Sequence, residues 1–60
     1  MEVEEVKKYI GKKCLIILEN KFQFTGFIPK FDNSAFSFTE KFGKLVTINC
    51  KFIVFIQEVK

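Results

Sequence analysis

The spacing of hydrophobic residues along the chain changes at Gly11. Before this residue Val3, Val6 and Ile10 recur at the spacing of an amphipathic helix, with charged residues on the opposite face. Acidic residues fill the first turn and lysines the last, as the helix dipole prefers, and glycine is a common stop signal. The pattern therefore predicts a short N-terminal helix over residues 2–10.

After Gly11 the apolar residues alternate with polar ones or form short runs, which indicates β-strands. Turn signals fall at 19–21 and 40–44. Pro29 has no backbone N–H to donate to a neighbouring strand, which marks a sheet edge or a bulge. Gly26 lies in mid-strand, where it permits a sharp bend or the close approach of another backbone. Short turns favour an antiparallel meander closing into a barrel over a parallel sheet. The predicted strands are 13–18, 22–28, 35–38, 45–48 and 52–59.

The last predicted strand contains five consecutive apolar residues. Side chains alternate along a strand, which would send Phe52, Val54 and Ile56 to one face and Ile53 and Phe55 to the other. One small core cannot cover both faces. We therefore expect one set to be covered from beyond a single sheet layer, and another copy of the same chain would supply that cover.

Length and composition indicate a single domain over residues 1–60. Chains this short bury only about 60% of their unfolded surface, and oligomerisation is a common remedy. A hydrophobic fraction of 48% with 28% charged residues fits a compact fold rather than a disordered tail. No apolar run approaches the roughly 18 residues of a membrane span. Because the acidic N-terminal segment is also unlike a signal peptide, we expect a cytoplasmic protein with no membrane partner.

The charged residues favour a binding protein over an enzyme. The formal net charge is +3 and every basic residue is a lysine, so a polyanion would be held by point charges rather than by bidentate arginine contacts. The chain has no histidine, and Asp32 is its one aspartate, so general acid–base catalysis lacks its usual groups. Cys14 and Cys50 cannot complete a zinc site within one chain, and Cys14 is predicted to be a buried, unpaired hydrophobe. We expect no enzyme activity, no metal and no cofactor.

Two segments carry a longer pattern. The first reads Leu18-x-Asn20-Lys21-x-x-Phe24-x-Gly26-x-Ile28-x-x-Phe31-Asp32, and the second reads Ile48-Asn49-Cys50-Lys51-Phe52-Ile53-Val54-Phe55-Ile56. They resemble the first and second sequence motifs of the Sm and Sm-like (LSm/Hfq) family, which includes the bacterial RNA chaperone Hfq. The first motif fits without a gap, with Lys21 in place of the turn glycine. In the second, Asn49 and Cys50 stand at the arginine and glycine positions of the family's Ile-Arg-Gly sequence.

The resemblance implies an all-β fold in which a short N-terminal helix precedes a five-stranded, strongly bent antiparallel SH3-like (Sm-fold) barrel. Family members assemble into rings of six or seven copies, with the fourth strand of one subunit pairing with the fifth strand of the next. Such pairing would also cover the two-sided last strand. Because members bind single-stranded RNA around the pore, the resemblance implies a homo-oligomeric ring that binds U- or A-rich RNA.

By position in the two motifs, the RNA-binding loops of the family correspond to residues 32–36 and 49–51 of this chain. The family's stacking side chain falls on Ser34 and its base-reading asparagine on Phe36, which leaves Asn33 and Phe36 as candidates for these two roles. The resemblance thus implies five RNA-binding candidates: Asp32, Asn33, Phe36, Asn49 and Lys51.

Each candidate also has a structural interpretation. Asp32 would cap backbone N–H groups in a turn, and Phe36 would share the core face with Phe38. Asn49 would hold its own loop, and Lys51 would be a solvated surface charge. The departures from the family pattern at the RNA positions favour an alternative function, in which the barrel is a protein–protein assembly module that binds no RNA.

Overall fold

The computed structural model describes all 60 residues, from Met1 to Lys60. One α-helix is followed by five β-strands, and a short 3₁₀-helix precedes the last strand. The elements are α1 (Val3–Lys7), β1 (Lys13–Leu18), β2 (Gln23–Phe27), β3 (Ala35–Thr39), β4 (Leu45–Asn49), the 3₁₀-helix (Cys50–Phe52) and β5 (Ile53–Glu58). The predicted all-β class, with a short N-terminal helix and five strands, is confirmed.

No helix of the structure combines the length and the apolar character that crossing a membrane requires.

The strands form two antiparallel sheets, one with the order β2-β1-β5 and one made of β3 and β4. β1 is the central strand of the larger sheet, where Ile16 pairs with Phe24 on one side and with Ile56 on the other. No continuous ladder joins the two sheets, so the predicted barrel is not closed by hydrogen bonds. β4 and β5 each have a strand partner on one side only, which leaves both with an open edge.

The two sheets lie close together at Gly26 of β2. A Cβ atom at this position would lie 2.6 Å from Cδ2 of Phe38 and 2.8 Å from the backbone oxygen of Thr39. Both distances are shorter than real carbon contacts allow. The close backbone approach that the sequence permitted at Gly26 is therefore present, and only a residue without a side chain fits there.

The N-terminal helix is shorter than predicted, spanning Val3–Lys7 instead of residues 2–10. Beyond it, the backbone N–H groups of Tyr9 and Ile10 donate to carbonyls three residues earlier, at 2.9 and 3.2 Å, as in tighter 3₁₀-type turns. Gly11 then leaves the turn with a φ of +85°, in the left-handed region that favours glycine. The sequence predicted too long a helix because the 3₁₀-type turns after it still direct apolar side chains to the same core.

The alternation predicted for the last strand is wrong because the ladder between β1 and β5 contains an irregularity that skips Val54. A β-bulge of this kind adds one residue to a strand and shifts the faces of those beyond it. Ile53 and Ile56 consequently both point into the core, with 1% and 9% of their surface exposed. Val54 and Phe55 both remain outside, 58% and 43% exposed.

The core lies between the two sheets and under the N-terminal helix. It is entirely apolar, and no buried side-chain polar atom lacks a partner. Its members are Val6, Cys14, Ile16, Ile28, Phe31, Phe36, Phe38, Ile48, Cys50, Ile53 and Ile56. The prediction that Cys14 is a buried, unpaired hydrophobe is confirmed, and Cys50 shares that environment.

Both thiols should resist modification in the folded protein. Cys14 and Cys50 have no exposed surface, and burial raises the pKa of each thiol above its ordinary value. Because the thiolate is the reactive species, we expect no reaction with Ellman's reagent at pH 8 under native conditions and reaction of both thiols in guanidinium chloride. Rapid native labelling of either cysteine would show that its part of the core opens readily.

Candidate nucleic-acid interface

The two loops assigned to RNA from the sequence meet at one end of the β3–β4 hairpin. The backbone N–H of Cys50 donates to the carbonyl of Ser34 at 2.7 Å. Asn33 and Lys51 are the chain neighbours of these two residues, and both are exposed. The fold therefore brings together short polar segments that are separated by a complete hairpin in the sequence.

Asp32 and Asn33 project from the first of these loops without internal partners. Both residues are exposed, and neither side chain makes a hydrogen bond or an ion pair within the chain. The structural interpretation of Asp32 as a cap for backbone N–H groups is wrong. The Asn33 amide is available to a ligand as both donor and acceptor.

Phe36 lies in the core and offers no ring face to a ligand. It is 4% exposed, and its ring centroid lies 4.9 Å from that of Phe31 and 6.0 Å from that of Phe38. Stacking of a base requires an open aromatic face. The core interpretation of Phe36 is confirmed, and in this structure the residue cannot act as a stacking platform.

Asn49 holds the second loop in place. Its Oδ1 atom accepts a hydrogen bond from the backbone N–H of Lys51 at 3.0 Å, which caps the 3₁₀-helix at its N-terminus. This confirms the structural interpretation for the amide oxygen. The Nδ2 group has no partner within the chain and remains a donor held in a fixed orientation by that cap.

Lys51 and Phe52 form a cation–aromatic pair beside the two loops. Lys51 is exposed, and its Nζ atom lies 5.1 Å from the centroid of the Phe52 ring, within the range of a cation–π interaction. Phe52 is 42% exposed. The sequence pattern predicts Phe52 in the last strand and does not indicate it as a site residue. The adjacent lysine is the one signal that points to it.

A shallow cavity adjoins the Phe52 ring. It has a volume of about 200 Å³ and is lined by Leu18, Glu19, Asn20 and Phe52. The turn between β1 and β2 forms its other wall, and Lys21 in this turn has a φ of +72°. That left-handed conformation favours glycine, the residue that the Sm-like pattern has at this position. The turn therefore adopts this conformation with lysine in place of glycine, which costs about 1 kcal/mol of folding free energy.

No protein-family model matches the sequence, and no curated protein or solved structure gives a significant match. The function of the chain is therefore inferred from the chemistry of the side chains that the fold brings together. At this end of the molecule they are the Lys51 ammonium group, the Asn33 and Asn49 amides and the half-exposed Phe52 ring. These groups supply charge, hydrogen bonds and stacking, which are the means by which proteins bind single-stranded nucleic acid.

Proposed function

We propose that this chain is the subunit of a homo-oligomeric Sm-like ring that binds single-stranded RNA, U- or A-rich, near the pore. The observation that carries the proposal is the meeting of the loops at residues 32–34 and 49–52, bridged by the hydrogen bond from Cys50 to Ser34. These loops overlap the segments that the Sm-like resemblance implies for RNA binding, residues 32–36 and 49–51, and Phe52 is added to them from its exposed ring.

The contacts available at this site suit a flexible single strand. Phe52 takes the stacking role that the buried Phe36 cannot fill, because the Phe52 ring is partly open to solvent. The free amide groups of Asn33 and Asn49 offer donors to base edges. Lys51 places a positive charge over one face of the Phe52 ring, so a base would stack on the other face and its phosphate would lie near the ammonium group.

Ring assembly is supported by the open edges of β4 and β5. Leu45 on β4 is 73% exposed, and Val54 and Phe55 on β5 are 58% and 43% exposed. Unpaired strand edges with exposed apolar residues are templates for pairing with another chain. Pairing β4 of one copy with β5 of the next would satisfy both edges and repeat the loop site around a ring.

A protein–protein assembly module without RNA binding is the second candidate function. It is favoured by the finding that Phe36 belongs to the core and that the Asn49 amide oxygen caps its own loop. In that case the open edges would remain the functional surfaces, while the loops at residues 32–34 and 49–52 would be structural.

Reversing one charge at the proposed site separates the two candidates. We expect Lys51→Glu to weaken binding of a single-stranded oligonucleotide by at least about tenfold, because linked copies of one weak contact gain avidity around a ring. Lys41→Glu is the matched control, since Lys41 is an exposed lysine in the turn at the other end of the β3–β4 hairpin. Fluorescence anisotropy at two salt concentrations measures the effect.

Binding to the unaltered ring should also weaken steeply with salt, as phosphate contacts require. Equal affinities for Lys51→Glu and Lys41→Glu, on particles of unchanged mass, would contradict the placement of RNA at these loops. Failure of the unaltered ring to bind any homopolymer would favour the assembly module.

A further inference from the structure

The cavity beside Phe52 carries an inference about which bases are bound. We propose that it accepts a nucleobase with an exocyclic amino group, stacked on Phe52 and donating a hydrogen bond to the Glu19 carboxylate. The inference rests on the proposed RNA-binding function and assigns a base class to that site. Adenine, cytosine and guanine carry such an amino group on the edge that pairs with other bases, and uracil does not.

The walls of the cavity are held by the backbone. The N–H of Glu19 donates to the carbonyl of Phe52 at 2.8 Å, which ties the β1–β2 turn to the 3₁₀-helix. Within the turn, Lys21 N–H donates to the carbonyl of Leu18 at 2.8 Å, and Asn20 Oδ1 accepts from a backbone N–H at 3.1 Å. A turn fixed in this way binds without first ordering its backbone, which reduces the entropic cost of binding.

The Phe52 ring provides the stacking surface. The ring is 42% exposed and lines the cavity, and the Lys51 ammonium group lies over it at 5.1 Å from the centroid. Leu18, which is half-buried, adds an apolar surface to the lining. An aromatic ring and an aliphatic side chain in an open cavity suit a planar base, while Lys51 is placed for the phosphate attached to it.

Glu19 supplies the selectivity. Its carboxylate is exposed, lines the cavity, and makes no hydrogen bond or ion pair within the chain. An ionised carboxylate only accepts hydrogen bonds, so it favours amino groups. In uracil the single N–H of the pairing edge lies between two carbonyl oxygens, which a carboxylate repels. The same negative charge keeps phosphate out of the cavity, so the base enters and the backbone stays near Lys51.

Homopolymer binding by variants of this cavity tests the inference. Labelled oligo-A, oligo-C and oligo-U are titrated with the unaltered protein, with Glu19→Gln and with Glu5→Gln, an exposed glutamate of α1 that serves as control. We expect the unaltered protein and Glu5→Gln to prefer oligo-A and oligo-C over oligo-U. Glu19→Gln should reduce this preference roughly tenfold, because a charge-assisted hydrogen bond is lost and an amide can also donate to uracil.

The outcomes separate this inference from the function on which it rests. Binding with an unchanged preference in Glu19→Gln, or an initial preference for oligo-U, overturns the base assignment and leaves RNA binding intact. Absence of binding to all three homopolymers overturns both. Phe52→Leu, which keeps an apolar side chain, should weaken binding of all three at an unchanged melting temperature. Unaltered affinities in this variant would remove Phe52 as the platform and the assignment with it.

Discussion

Gly26→Val is expected to destabilise the domain by about 3 kcal/mol, at the upper end of the cost of overpacking a core. A Cβ at this position would lie 2.6 Å from the buried Phe38 ring and 2.8 Å from the backbone oxygen of Thr39. The backbone oxygen cannot move without separating the two sheets, and the ring is held on its other side by the core. Small single-core domains have only about 3–5 kcal/mol of stability, so most of it would be lost.

Denaturant unfolding at one fixed protein concentration measures this cost, with Gly26→Ala and Gly43→Ala as companions. Gly43 has nothing within 4 Å of an added Cβ, but its φ of +89° makes any side chain strained. Gly43→Ala should therefore cost only about 1 kcal/mol, and Gly26→Ala should cost more because its clash is steric. An unchanged unfolding midpoint for Gly26→Val would mean that the sheets do not approach at this point.

If the chain forms the proposed ring, Phe55→Lys and Val54→Lys are expected to convert that ring to monomers. Both residues are exposed on β5, the strand whose second edge has no partner within the chain. Lysine on an edge strand blocks pairing with another chain, because its charge would have to be buried in the contact. The loss of an apolar contact in every interface of the proposed ring would add to this effect.

Sedimentation velocity at micromolar concentration follows the dissociation, with Gln57→Lys as the control. Gln57 is an exposed polar residue of the same strand, so lysine there adds the same charge without removing an apolar side chain. We expect Gln57→Lys to dissociate the particle less than Val54→Lys or Phe55→Lys, and equal dissociation would show that the added charge acts without the loss of an apolar contact. A particle that survives both Val54→Lys and Phe55→Lys would rule out assembly through β5.

The order and type of the secondary-structure elements could be predicted from the sequence because the local signals agree with the tertiary structure. The change of period at Gly11, the turn residues at 40–44 and the short connections all predicted antiparallel strands that are present. Gly26 could be identified from the sequence because a glycine inside a strand weakens it and often marks a close approach of another backbone. The close approach of β3 explains the glycine here.

Other features depend on tertiary contacts that no local pattern records. The bulge at Val54 arises from the pairing of β5 with β1. Strict alternation of side chains along β5 therefore predicted the wrong faces for its residues. Phe36 and Phe52 are both phenylalanines near a loop, and only the packing decides that the first is buried and the second half-exposed. The cavity beside Phe52 depends on a hydrogen bond from Glu19 across to the 3₁₀-helix, between residues far apart in the chain.

Native mass spectrometry of the unaltered protein, alone and with a single-stranded oligo-A, tests the proposed RNA-binding ring most directly. We expect a particle of six or seven copies of the 7.1 kDa chain that gains the mass of a bound oligonucleotide. With Lys51→Glu the particle should keep its copy number and lose the oligonucleotide at the same concentration. A 7.1 kDa monomer, with or without the oligonucleotide, would contradict the proposed ring.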